Sequence, residues 1–287
     1  MRGLVTEHRL DVHGLTFRVL EEGAGPAVVL LHGFPDSADL WRHQIAALAA
    51  AGHRVIAPDL RGFGVSSRPP EPSDYGMRLL IADVLGILDA LGVDAVDVVG
   101  HDWGAALAWH VAFAAPERVR RLAVVSVGHP AAGREAGIPQ RRLSWYMLWF
   151  LFPGVAEEVM PAEDWRFFRE WAWDGAARGS DPDLDRQLAD LARPGALTAG
   201  LNWYRANIDP VAFARPGAGR AASRRLACPV LGVWSSADFA LGEAQIAESE
   251  RYVDGPWRYE RIEGVGHWVP VHAPERLSEL LVDFLDG

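Results

Sequence analysis

Short apolar or β-branched runs alternate with amphipathic stretches of helical period along most of this chain, and no other feature narrows its fold as much. Strands separated by helices cannot pair as hairpins, and crossover helices make them parallel, so the fold class is α/β. The runs are Thr16 to Glu21, Ala27 to Leu31, Arg54 to Ala57, Ala95 to Val99, Val119 to Val127, Pro229 to Trp234 and Arg258 to Ile262. The first two are expected to open the sheet antiparallel. Helices are predicted from Ser37 through Trp41, Ile45 and Leu48 to Gly52, from Met77 to Leu91 with Gly92 as the stop, from the turn Gly100 to Gly104 on to Ala115, and after Pro274.

From about His129 to Arg220 the strand runs vanish, and Pro and Gly repeatedly break aromatic, Arg-rich helical pieces. This reads as a helical cap, residues 129–220, inserted into a core made of residues 1–128 and 221–287. It holds Trp145, Trp149, Trp165, Trp171, Trp173 and Trp203, half of the twelve tryptophans, a composition suited to roofing an apolar pocket. Plain packing would also use them.

With 287 residues, nearly half apolar, the chain can bury one large core that carries such an insertion. Met1 to Leu10 carry charges and no unbroken apolar stretch, so neither a secretory signal nor a membrane anchor is expected. Cys228 is the only cysteine, which rules out an internal disulfide and a cysteine-based zinc cluster and agrees with a cytoplasmic location. A formal charge of −10 argues against nucleic acid, whose phosphates need clustered Lys and Arg.

The turn Gly100-His101-Asp102-Trp103-Gly104 joins a predicted strand to a predicted helix, with glycines two positions either side of an acid. Flanking glycines let the backbone bend tightly enough to push the middle side chain out above the strand ends, and the following helix N-terminus favours negative charge there. Asp102 would equally serve as a helix N-cap. Asp238, in Ser235-Ser236-Ala237-Asp238, and His267, in Gly264-Val265-Gly266-His267-Trp268, each follow a later strand, so all three acquire places at one sheet edge. Nucleophile, acid, histidine is the hydrolase order.

His32-Gly33-Phe34-Pro35, Asp59-Leu60-Arg61-Gly62-Phe63-Gly64, the Gly100 to Gly104 turn, Asp238-Phe239 and Gly266-His267-Trp268 resemble the soluble epoxide hydrolases and, less closely, the haloalkane dehalogenases. The likeness extends to Phe152-Pro153-Gly154-Val155-Ala156-Glu157 and Leu201-Asn202-Trp203-Tyr204-Arg205, and so covers nearly the whole chain. It implies the α/β-hydrolase fold: a mostly parallel eight-stranded sheet, flanking helices and a helical cap. The partner it implies is a small apolar epoxide or a related small molecule, with the protein acting as a monomer or homodimer.

A carboxylate nucleophile selects its chemistry. An ionised Asp needs no base to act, and on a saturated carbon bearing a leaving group it forms a stable alkyl ester, whereas on an ester it would form a reactive anhydride. Epoxides and alkyl halides are such substrates. His267 is then assigned as the base that activates water against the Asp102 carboxyl carbon, with Asp238 orienting the imidazole. By resemblance, the backbone N–H groups of Phe34 and Trp103 form the oxyanion hole and their side chains line the pocket.

Epoxide opening leaves an alkoxide, which calls for an acid across the substrate. Tyr204 matches one of the two cap tyrosines that epoxide hydrolases use; as an aromatic it would also serve packing alone. At the other position the chain departs: Trp149 stands where the first tyrosine is expected, and Tyr146 lies nearly one helical turn earlier. Trp149, Tyr146, His32 and Pro35 are the candidate substrate-binding residues. Haloalkane dehalogenation is the alternative, with Trp103 and Trp149 as halide-binding indoles, although Phe34 stands where many dehalogenases carry Asn. Fluoroacetate dehalogenation fits less well, because Trp103 and Ala106 replace its carboxylate-binding arginines. A non-catalytic ligand receptor on the same scaffold is a further alternative. No proton transfer is assigned to His32, His101 or His129, and no metal or cofactor is expected.

Overall fold

The computed structural model describes residues 5–173, 181–215 and 224–287. Its strands are β1 (Thr6–Val12), β2 (Leu15–Glu22), β3 (Ala27–Leu31), β4 (Arg54–Pro58), β5 (Val96–His101), β6 (Val119–Val125), β7 (Val230–Ser235) and β8 (Trp257–Ile262). They form one eight-stranded sheet in the order β1-β2-β4-β3-β5-β6-β7-β8. From β4 to β8 every neighbouring pair is parallel.

The antiparallel opening differs from the expected one. β2 pairs antiparallel with β1 and with β4, and β4 separates it from β3, so the runs around Thr16 and Ala27 are not neighbours. β1 has no counterpart among the predicted strands, because the outermost strand buries little: Glu7, Arg9 and Asp11 are exposed on one face, and on the other only Val12 is fully buried. β6 ends two residues earlier than expected, where Ser126 takes φ 72°.

The core helices are α1 (Arg42–Ala50), α2 (Met77–Ala90) and α3 (Trp103–Ala114). Residues on β3 divide between the two faces: Val28 and Leu30 pack with Trp41, Ile45 and Leu48, while Val29 and Leu31 pack with Val84, Leu107 and Val111. A strand covered on both faces reads as one continuous apolar run, which is why Ala27 to Leu31 shows no alternation.

Between β6 and β7 the described residues form eight helices: α4 (Pro130–Glu135), α5 (Gly137–Leu143), α6 (Trp145–Phe150), α7 (Val155–Val159), α8 (Ala162–Ala172), α9 (Pro182–Leu191), α10 (Ala196–Asn207) and α11 (Pro210–Ala214). The end assigned to this stretch, Arg220, lies outside the described residues. After β7 come α12 (Glu243–Ala247), α13 (Val269–His272) and α14 (Pro274–Asp286), the last packed beside α1.

Two polar ties fix these helices on the sheet domain. The buried carboxylate of Asp36 accepts from Arg186 Nη1 at 2.7 Å and Gln187 Nε2 at 2.7 Å, both on α9, and from its neighbour Ser37 N at 2.8 Å. On α10, Trp203 Nε1 donates to the Arg61 carbonyl at 2.9 Å and Asn207 accepts from Met77 N at 2.8 Å, capping the start of α2. Arg61 itself forms a bidentate pair with Asp83 of α2, at 2.7 and 2.6 Å, out of solvent.

Candidate active site

Asp102 stands between β5 and α3 with φ 53° and ψ −123°, a conformation that costs a non-glycine residue about 1–3 kcal/mol. Its neighbours dictate it. A Cβ on Gly100 would strike the Gly104 carbonyl, and one on Gly104 would overlap the Leu31 and His32 carbonyls, so the turn closes only with glycine at both places. The carboxylate is thereby lifted over the carboxyl ends of the parallel strands. Phe34 N–H, after β3, donates to Asp102 Oδ1 at 2.9 Å.

The loops after β7 and β8 deliver the other two groups. His267 Nδ1 donates to Asp238 Oδ2 at 2.9 Å, and Asp238 Oδ1 accepts from the N–H groups of Ala240 at 2.9 Å and Leu241 at 3.0 Å. His267 Nε2 faces Asp102 Oδ2 at 3.7 Å. Residues distant in sequence thus meet as carboxylate, imidazole and carboxylate in line, each less than a tenth exposed.

Burial raises the pKa of Asp102, against the attraction of His267 and the N–H groups of Trp103 and Phe34. Burial acts the same way on Asp238, but the charge of His267 and its hydrogen bonds win, holding it below the ordinary carboxylate value. In His267 burial works against the cation and is overcome, first by Asp238 and then by Asp102, so its pKa is raised. His101 is driven down to about 3 by burial and is neutral, and its Nε2 therefore donates to the His267 carbonyl at 2.9 Å.

Over this row lies a narrow apolar cavity with about 10 Å³ of room, lined by Phe34, Pro35, Tyr146, Phe168, Trp171, Ala172, Tyr204, Phe239, Ala240 and Trp268 together with Asp102 and His267. Tyr204 of α10 is buried, its ring packed at 5.7 Å from Phe34 and 5.0 Å from Phe150. Tyr146 of α6 faces it, ring centroids 6.2 Å apart. Burial, aided by the charge of Asp102, keeps both phenols protonated well above the usual tyrosine value.

Three sequence-based candidates fall elsewhere. α6 turns Tyr146 and Phe150 inward together, one turn apart, and this phase sends Trp149 away from the cavity against Phe167 at 5.2 Å. His32 is wholly buried, with Nδ1 on the Gly33 carbonyl at 2.9 Å and Nε2 accepting from Leu60 N at 3.0 Å, so it braces the turn and does not line the cavity. The Trp103 ring also leaves the cavity, packing on Trp203 and Tyr204. Phe168 lines the cavity without having been singled out; its spacing of three from Trp171 on one helix was the available signal. The tie of Asp36 to α9 left no trace in the sequence. Among the described residues no three His, Cys, Asp or Glu side chains meet where they would hold a metal ion.

Residues 26–274 match the family model of the alpha/beta hydrolase fold. Over 99% of its length the chain is 33% identical to Epoxide hydrolase A of Mycobacterium tuberculosis, covering 98% of that protein. It is 32% identical to an Epoxide hydrolase of Caballeronia sordidicola, with 99% of this chain and 94% of that one covered. The crystal structure of Epoxide Hydrolase A from Mycobacterium thermoresistibile superposes with a TM-score of 0.83 at 32% identity, over 99% of both chains. Joined to the parallel sheet and the acid-bearing turn after β5, these likenesses place the chain in the α/β-hydrolase fold family and, within it, among the epoxide hydrolases.

Proposed function

We propose that this chain hydrolyses small apolar epoxides to vicinal diols by way of an ester at Asp102. The observation that carries the reading is the facing pair Tyr146 and Tyr204, held over the Asp102–His267–Asp238 row across an apolar cavity. Asp102 Oδ2, the oxygen that Phe34 N–H does not hold, attacks an epoxide carbon. The ring C–O bond breaks, and the freed oxygen takes a proton from a tyrosine hydroxyl. Phenols kept protonated by burial are suited to this, because they stay donors throughout the neutral range.

The second half consumes water. His267 Nε2 removes its proton while the oxygen adds to the Asp102 carboxyl carbon, and Asp238 stabilises the imidazolium. The Phe34 and Trp103 N–H groups receive the charge of the tetrahedral intermediate. Collapse expels the diol oxygen, which takes the proton from His267; the restored Asp102 carboxyl returns its proton to the tyrosinate. Epoxide plus water gives diol, and the enzyme is unchanged. Tyr146 joins Tyr204 in the acid role, and Trp149 has none. Dehalogenation loses support because neither Trp103 nor Trp149 lines the cavity, the first packing on Trp203 and Tyr204 and the second on Phe167. Cys228 as the only cysteine favours a reducing, cytoplasmic setting.

His267→Gln tests the scheme. Incubated with aryl and alkyl epoxides, this variant is expected to gain the mass of one substrate molecule on Asp102 and to release no diol. An unmodified Asp102 alongside wild-type diol formation would refute it.

A further inference from the structure

The ester proposed at Asp102 raises a problem of access. With the cap helices closed its cavity offers about 10 Å³, room for a single water at most, and an alkyl ester would occupy whatever further space those helices yield. Water for the second step therefore needs another way to the carboxyl carbon. A second cavity, of about 200 Å³, adjoins the first: Ala172, Phe239, His267 and Trp268 line both. Its remaining walls are Trp173, His272 and the loop residues Ala237, Gly264 and Gly266, of which Ala237 and Gly264 are exposed. Aromatic rings make up most of the first cavity's wall. The second, besides the rings of Trp173, Phe239 and Trp268, is bordered by two imidazoles, His267 and His272, and opens at the exposed loop residues Ala237 and Gly264, so water there has polar partners and a way to solvent.

Gly266 is informative. Its backbone lies outside the left-handed region, and an added Cβ would meet only the Ala237 carbonyl, at 3.7 Å, an ordinary contact. Neither conformation nor close packing asks for glycine, and what the missing side chain leaves open is the cavity. The loops on its two sides are joined to each other, Ala237 N to the Val265 carbonyl at 3.0 Å and Ser235 Oγ to the Gly266 carbonyl at 2.9 Å, so the mouth keeps its shape. Building on the ester mechanism above, we propose that this cavity is a water inlet. It feeds His267 from the solvent side while the alkyl group still occupies the catalytic cavity, with Phe239 and Trp268 as the partition.

The test fills the inlet and times each half-reaction. Gly266→Leu and, from the exposed side, Ala237→Leu are compared with wild type by rapid-quench intact mass spectrometry using a small apolar epoxide. Formation of the Asp102 ester is expected to stay within about twofold, and its breakdown to slow about tenfold or more, so that ester accumulates. Gly266→Ala, which adds only the tolerated Cβ, should lie between. Unchanged breakdown in both leucine variants, with native circular dichroism, overturns the inlet and leaves the ester mechanism standing. Slowed ester formation instead identifies the cavity as the substrate's door and equally overturns it. Absence of ester even in His267→Gln removes Asp102 as nucleophile and the inlet with it.

Discussion

Asp102 is held where an anion is least at home: buried, at a positive φ, and with its pKa raised. A carboxyl whose folded value lies above its unfolded one weakens the fold once ionised, so Asp102→Asn should melt higher than wild type near neutral pH. Differential scanning calorimetry checks this, and a lower melting temperature would contradict it. The same shift sets the acid limb of turnover. Ester formation needs the anion, so kcat/KM should fall as pH drops through a midpoint above the ordinary 3.8 of Asp. The phenols are raised well above 10, so loss of the acid should produce no alkaline limb below that pH. Tyr204→Phe and Tyr146→Phe are each expected to lower epoxide turnover, and the double variant to lose about 10²–10⁴-fold, measured as diol formation. Wild-type rates in the double variant would take the acid role from both.

At the scale of elements, the bidentate pair of Arg61 with Asp83 joins the turn after β4 to α2 with both side chains buried. Removing one partner strands a charge, so Asp83→Ala should lose about 3–5 kcal/mol in urea unfolding. Activity should fall with it, because the Arg61 carbonyl holds Trp203 beside Tyr204. A loss below about 1 kcal/mol would mean that the pair is replaceable. Strands and helices differ in how plainly the sequence announced them. β3, β5 and β7 are covered on both faces, and their apolar runs, unbroken in β3 and interrupted by Asp97 in β5, are legible. β1 is not, because an edge strand needs little burial. The turn at Asp102 was legible through its two glycines, which sterics require. Tyr146 was harder: which side of α6 faces inward depends on packing against α10, and a motif aligned by Pro153 and Gly154 carries no such phase. The bond between Asp36 and α9 spans some 150 positions, and nothing local at either end encodes it.

For the molecule as a whole, the catalytic cavity is smaller than any epoxide. Substrate admission therefore requires the lining to move, and Tyr146, Phe168 and Tyr204 place much of that lining on α6, α8 and α10. Stopped-flow tryptophan fluorescence should show the rate of ester formation reaching a plateau with concentration, equal for bulky epoxides of different intrinsic reactivity. A plateau that follows reactivity would place the barrier in the chemistry instead. No helix among the described residues is long and apolar enough to cross a membrane.

Asp36 gives those movements a fixed point. It lies one position past Pro35 in the cavity wall, and α9 supplies the cation and amide that satisfy it. Anyone grafting the helices of a relative onto this scaffold to alter substrate choice inherits that dependency. A chimera without matching donors at positions 186 and 187 would leave an orphan anion beside the wall of its own active site. Position 36 therefore belongs to the graft, although it lies far from it in the chain.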